Sequence, residues 1–329
     1  MARQTFSVNN FALQSGETLP TANLVYRTLG DLSPARDNVV LIPSWYSGTD
    51  REAELCMVGP GRAIDPACHF IVFTNLLAGG VSSSPSNTPA PYDRARFPRV
   101  TLHDNVRLQH ALLERLGIEH LKLVAGWSMG GCQAFQWGVQ YPEMMDAIAP
   151  ICCSARTAQF NKIFLLSLRR ALELDPAFDD GCYTRPPIRG LRAFATIYAG
   201  WGFSEPFYRT EAFRQFGASS AADFSARFWE PVFLHHDAND LLALLSTWDD
   251  GDIASGADIA QALSGITARA IVMPGQYDSY FPPADSQAEV AAMPHAECRP
   301  IPSIWGHMCL WNPEDRPFID RALHQLLTA

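Results

Sequence analysis

No apolar window in this sequence approaches the roughly 18 residues that a membrane-spanning helix needs, so no membrane partner is expected. The stretch Met1-Ala2-Arg3-Gln4-Thr5-Phe6-Ser7 runs into polar Asn9 and Asn10 without the apolar core of a secretory signal, and the expected compartment is the cytoplasm. Positive charge is not in excess either. Lys+Arg 25 against Asp+Glu 34 gives a formal net charge of −9, which argues against nucleic acid as the main partner. No C-x-x-C pair occurs among the eight cysteines at 56, 68, 132, 152, 153, 182, 298 and 309. A chain of 329 residues needs no disulfide framework, so reduced, buried thiols are expected. Repeats and low-complexity tracts are also missing.

What is present is enough apolar material for a large core: 47% hydrophobic against 18% charged residues. Short runs that are apolar on both faces occur at 38–42, 69–73, 121–125 and 146–151, and again at 270–273 and 297–301. Such runs predict buried parallel strands. Helical patterns separate them: one from Thr101 to Leu116, with Thr101 placed to cap and Asp104 three residues on, and one from Met129 to about Tyr141, before Pro142. A last helix carries Phe318, Ile319, Leu323 and Leu326 at helical spacing. Alternation of this kind predicts an α/β fold with a mostly parallel sheet flanked by helices. Between 155 and 265 the strand pattern stops, while helical patterns continue near 160–174 and 233–248. That stretch is too apolar for a linker. It is expected to be a helical cap inserted into a core made of residues 1–154 and 266–329.

Gly126-Trp127-Ser128-Met129-Gly130 is a G-x-S-x-G between a strand and a helix, the setting in which that motif presents a nucleophile. The glycines leave room for neighbouring backbone around a sharp turn, and the helix that follows offers free N–H groups to developing negative charge. A serine hydroxyl needs a base, and the base an orienting acid. In this fold the chain order is serine, acid, histidine. His307 follows the last expected strand, whereas His295 precedes it and His324 lies inside the terminal helix; His307 is therefore the expected base. Asp278, in the turn after the strand at 270–273, is the expected acid in preference to Asp285 seven residues on.

With these residues placed, the chain resembles the homoserine O-acetyltransferase family of α/β-hydrolases. The resemblance runs through Leu29-Gly30-Asp31-Leu32, Gly59-Pro60-Gly61 with Ile64-Asp65-Pro66, Ser128-Met129-Gly130-Gly131-Cys132-Gln133-Ala134, Gly181-Cys182-Tyr183, Phe281-Pro282-Pro283 and Gly306-His307. It implies the α/β-hydrolase fold with a helical cap, an acyl-serine intermediate and a homodimer. By the same match the oxyanion hole would be the backbone N–H groups of Tyr46 and Met129, and Arg169 in the cap would hold a substrate carboxylate. Three segments depart from the family pattern. Gly80-Val81-Ser82-Ser83-Ser84-Pro85 stands where the family has G-S-T-G-P, Trp127 replaces the glycine before the nucleophile, and Asp237-Ala238-Asn239-Asp240-Leu241 replaces D-A-N-S-Y.

Together these features predict an enzyme that transfers an acyl group through Ser128, most simply by hydrolysing a small acetyl-type ester. The alternative is an O-acetyltransferase that uses acetyl-CoA as co-substrate and homoserine or a similar alcohol as acceptor. A non-catalytic binding protein is the third reading, against which the intact serine, acid and histidine order speaks. No cofactor is expected. An aromatic tunnel between cap and core is expected from Trp45, Tyr46, Trp201, Phe203, Phe207 and Trp229, with Trp45, Trp127 and Arg169 as substrate-binding residues. His235-His236-Asp237 are adjacent in an expected helix, so no metal site is expected.

Overall fold

The computed structural model describes residues 2–328; residues 1 and 329, the two ends of the expected core, lie outside the described residues. A hairpin of β1 (Gln4–Ala12) and β2 (Thr18–Leu29) leads into β3 (Val39–Pro43), α1 (Asp50–Met57) and β4 (Phe70–Thr74). Then come α2 (Leu102–Arg115), β5 (Leu123–Trp127), α3 (Met129–Gln140) and β6 (Ala147–Ile151). Six helices follow with no strand between them: α4 (Gln159–Glu173), α5 (Ile188–Gly202), α6 (Glu205–Arg209), α7 (Ala221–Phe224), α8 (Glu230–Leu234) and α9 (Ala238–Asp249). The chain returns through α10 (Ile259–Ser264), β7 (Arg269–Val272), α11 (Pro283–Val290), β8 (Ala296–Cys298) and α12 (Arg316–Thr328).

The eight strands form one sheet in the order β1-β2-β4-β3-β5-β6-β7-β8. From β4 to β8 every pairing is parallel, while β1 with β2 and β2 with β4 are antiparallel. All residues of β3, β5 and β6 are buried, which explains why these strands read as continuous apolar runs. The α2 start is a full capping box: the Thr101 hydroxyl accepts from Asp104 N–H, and the Asp104 carboxylate accepts from Thr101 N–H. Its second carboxylate oxygen takes the Gln14 N–H at 2.8 Å and so ties the hairpin to the core.

Several expectations are corrected. The β1–β2 hairpin was not expected; its edge strand is largely exposed and polar, and in β2 buried positions alternate from Ala22 to Tyr26 and run on through Arg27 and Thr28. The run at 297–301 forms a strand only as far as Cys298, since Pro300 has no N–H to donate, and the ladder resumes as an isolated bridge between Gly275 and Ile301. The helix expected at 233–248 is broken at His235–Asp237, where Asp237 caps α9 by accepting from Asn239 and Asp240 N–H. Cys68 and Cys182 are exposed, although Cys56, Cys132, Cys152, Cys153 and Cys309 are buried thiols.

The six helices join the sheet through a narrow stem. Thr157 N–H donates to the Gly251 carbonyl at 2.8 Å and Ile253 N–H to the Ala155 carbonyl at 3.1 Å. Arg156 pairs with Asp252 at 3.0 Å between them. The excursion is thus paired at its base, 155–157 against 251–253. The residues beyond it lie on the core: Ile266 packs on Gly138 of α3, and the Thr267 hydroxyl donates to the Pro142 carbonyl.

Candidate active site

Ser128 leaves β5 with φ 55° and ψ −128°, a left-handed backbone that costs a non-glycine residue about 1–3 kcal/mol and persists only where its surroundings enforce it. The glycines are the enforcement. A Cβ on Gly126 would lie 2.1 Å from the Gly130 carbonyl oxygen, and one on Gly130 would lie 2.6 Å from that of Pro43. Close backbone approach at these two points folds the turn so that the serine stands at the start of α3.

Parallel strands bring the partners to the same sheet end. His307 follows β8, and its Nε2 lies 3.0 Å from Ser128 Oγ. Its Nδ1 lies 2.8 Å from Asp278 Oδ2, in the loop after β7. The other oxygen of Asp278 accepts the N–H groups of Tyr280 at 2.8 Å and Phe281 at 3.2 Å. The carboxylate is fully buried and acceptor-only, so Nδ1 must carry the proton it faces. Nε2 is then left free to accept from the serine hydroxyl. The imidazole is held on three sides: the Trp127 ring stacks on it at 4.7 Å, Tyr280 meets it edge-on at 4.6 Å, and Phe281 lies at 5.6 Å.

The amides of Met129, next to Ser128 in the chain, and of Tyr46, in the wall of the same cavity, donate to no group among the described residues, although both residues are buried. Buried N–H groups without a partner are rare, and such donors suit a developing negative charge. The loop that carries Tyr46 is pinned. Gln133 of α3 donates to the Ser44 carbonyl at 3.0 Å and is itself held by Gln109, which accepts from the Trp137 indole. From the cap side, the Tyr46 hydroxyl donates to the Leu241 carbonyl at 3.1 Å.

Ser128 opens on a cavity of about 480 Å³. Trp45, Trp127, Tyr46 and Trp229 line it, as expected residues; Tyr198, Phe228, Val232, Met308 and Trp311 complete an aromatic and apolar wall, with Glu52, His235 and His236 as further polar lining. Burial lowers the pKa of His236 below the usual histidine value. Trp311 and Met308 lie on the same turn as His307 and were within reach of sequence reasoning. The cap contributors Tyr198, Phe228 and Val232 were not, because nothing in a sequence says how a helical insertion rotates onto its core. Residues 225–229 form a single π-helical turn, and it delivers Phe228 and Trp229 to the wall.

Four expected residues are elsewhere. Arg169 lines a separate cavity of about 570 Å³ with Arg94, Arg99 and Arg170, and donates to the Ser246 hydroxyl at 2.9 Å. Trp201 packs at a tilt on Phe160 and Phe164 in the cap. Phe203 and Phe207 pack on each other and on Trp305. Large aromatics at helical spacing fill the cap interior, and burial decides their place before any ligand does. His235 and His236 sit in the turn between α8 and α9, not in a helix. The one group of possible metal donors among the described residues is Cys152 with Asp278 and His307, within 4.8 Å of one another. Burial pushes the Cys152 thiol well above its usual range, so it stays protonated, and it lies 3.4 Å from the Cys309 sulfur.

A profile of the alpha/beta hydrolase fold matches residues 38–312. The chain is an α/β-hydrolase. It is 34% identical to the ethyl acetate hydrolase of Pseudomonas veronii, over 99% of this chain and 95% of that one. It is 33% identical to the homoserine O-acetyltransferase of Trichormus variabilis, over 90% and 86% of the two chains. A monoclinic structure of the acetyl esterase MekB superposes with a TM-score of 0.98 at 34% identity, over 100% of this chain and 97% of that one. This α/β-hydrolase is therefore an enzyme of the branch that contains both esterases and homoserine O-acetyltransferases.

Two of its three departures from the acetyltransferase pattern touch each other at Asp240. Asp240 of α9 accepts the Ser86 N–H at 2.9 Å and the Ser86 hydroxyl at 2.6 Å, and its Oδ2 lies 3.0 Å from where a Cβ on Gly80 would be. Burial, with the charge of Asp237 beside it, pushes the Asp240 carboxyl up to about 7. The unfolded aspartate titrates near 4, so the folded protein binds this proton more tightly. Its contribution to stability is fully present below about pH 4 and is lost as pH rises through about 7, with a slope of at most about 1.4 kcal/mol per pH unit. Melting temperatures of wild type are expected to fall between pH 4.5 and 7. Asp240→Asn, which mimics the neutral acid, is expected to remove about half of that fall and to leave the part due to Glu289, pushed by burial up to about 8. Equal slopes in wild type and variant would refute the assignment.

Proposed function

We propose that this enzyme hydrolyses small acetyl-type esters through an acyl-Ser128 intermediate. The observation that carries the reading is the wall of the Ser128 cavity: it is mainly aromatic and apolar, with Glu52, His235 and His236 as its charged or titratable lining beside His307, and Arg169, the expected partner of an amino-acid carboxylate, opens on a different cavity. A site built for homoserine must pair its carboxylate and ammonium with buried polar groups, because an unpaired charge there is costly. The names of the hydrolase and esterase relatives point the same way.

Ser128 Oγ attacks the ester carbonyl as His307 Nε2 takes its proton. The oxygen that becomes negative turns toward the Tyr46 and Met129 N–H groups, and Asp278 stabilises the imidazolium. His307 then gives the proton to the departing alcohol. In the second half the same nitrogen takes a proton from water, the acyl–Oγ bond breaks, and the acid leaves. No cofactor enters these steps; acetyl-CoA would be a co-substrate only if an alcohol replaced water. We read the helices at 157–251 as a cap that closes the cavity, the chain as cytoplasmic, and the assembly as a homodimer, for which a monomer in sedimentation would be the refutation.

The decisive experiment is paired. Purified enzyme is given ethyl acetate or p-nitrophenyl acetate in one reaction, and acetyl-CoA with homoserine in the other. Acetate release in the first, without O-acetylhomoserine in the second, is the expected result. O-acetylhomoserine formed faster than free acetate would establish the transferase.

A further inference from the structure

Trp127 is the departure from the acetyltransferase pattern that packs directly on His307. Its indole N–H donates to the His307 carbonyl at 3.1 Å, and its ring stacks on the imidazole at 4.7 Å with planes 27° apart. Backbone and side chain of the base are thus both held by one residue. Behind it, Trp45 packs edge-on at 4.9 Å. Trp45 is itself fixed, since the turn it begins closes so tightly that a Cβ on Gly48 would lie 2.2 Å from its indole nitrogen. Both indoles are almost fully buried yet line the cavity of Ser128. Interlocked aromatic rings of this kind do not yield to a ligand as a flexible side chain would.

The nucleophile that ends the reaction must stand against His307 Nε2, because that nitrogen takes its proton. A water molecule needs room for one oxygen there. An alcohol brings a carbon chain that needs space beside the imidazole as well. We propose that Trp127 reserves the second half-reaction for water: its indole, fixed to His307 and backed by Trp45, occupies the space that the carbon chain of a hydroxyl acceptor would need. The inference rests on the acyl-Ser128 reading. In chemical terms, the water oxygen forms a bond to the acyl carbon, one water proton passes to Nε2 and on to Ser128 Oγ, and the acyl–Oγ bond breaks to release the acid. With an alcohol the same steps release an ester. Trp127 acts as a positioning and specificity residue and exchanges no proton.

The test measures where the acyl group goes. Wild type, Trp127→Gly, Trp127→Leu and Trp127→Phe turn over p-nitrophenyl acetate with 1-propanol present at fixed concentration, and propyl acetate and acetate are quantified by gas chromatography. This ratio does not depend on how much of a sample is folded. Trp127→Gly is expected to raise propyl acetate over acetate by about tenfold or more, the scale on which pocket space discriminates. Trp127→Leu should fall between, and Trp127→Phe, which keeps a ring against the imidazole, should stay within about twofold of wild type. If the glycine variant does not fold, the leucine variant carries the test. An unchanged ratio in a Gly or Leu variant that still forms acetyl-Ser128, seen by rapid-quench mass spectrometry, overturns the inference. Absence of that adduct in wild type refutes the acyl-enzyme reading instead.

Discussion

Ser128→Ala is expected to lower kcat for p-nitrophenyl acetate by about 10⁴- to 10⁶-fold, leaving only what the oxyanion donors and the cavity supply without a nucleophile. Nothing nearby can substitute. The Cys152 thiol is held protonated by burial and sits among Asp278 and Cys309, not at the open side of His307. Ser128→Gly should lose as much activity yet melt higher than Ser128→Ala. The backbone at this position has φ 55°, and only glycine occupies that region without strain. A higher melt for the alanine variant would contradict the strain at the turn. Turnover within about tenfold of wild type in either would remove Ser128 as nucleophile.

Asp278→Asn is the second large effect, about 10³- to 10⁴-fold in kcat. The reason lies in the two sides of the carboxylate. One oxygen accepts two backbone N–H groups, from Tyr280 and Phe281, so an asparagine must place its carbonyl there. Its NH₂ is then driven against His307 Nδ1, which has to accept. The proton moves to Nε2, where it points at Ser128 Oγ and leaves the serine without a base. Asp278→Ala removes this conflict along with the orienting group, and it is expected to cost activity without fixing the wrong tautomer. Imidazole nitrogen NMR shifts of the asparagine variant check this directly: a proton on Nδ1 would contradict the assignment.

How far this could be read from the sequence follows from what each signal depends on. Ser128 was legible because its signal is local: two glycines, a strand before and a helix after specify one turn. His307 and Asp278 were legible through chain order, since parallel strands deliver all their following loops to one end of the sheet. The N-terminal hairpin was not, because its stability comes from an edge pairing whose outer strand is largely exposed and leaves little apolar pattern. Arg169 lines a cavity other than the expected one for a different reason. A basic residue on a cap helix points wherever packing of that helix turns it, and the rotation is set by aromatics such as Phe164 and Trp248 that meet only in three dimensions. His235 and His236 reach the cavity because a capping aspartate, Asp237, starts a new helix there.

The paired stem at 155–157 and 251–253 has a consequence for descent. Because the outgoing and returning segments already hydrogen-bond to each other, the insertion presents the core with two backbone ends that lie side by side. A foreign insertion whose own ends meet in the same way could be grafted at Thr157 and Gly251 without disturbing β5, β7 or β8, which carry the reacting side chains. The chemistry is thereby anchored in one part of the molecule, and much of the cavity roof is interchangeable.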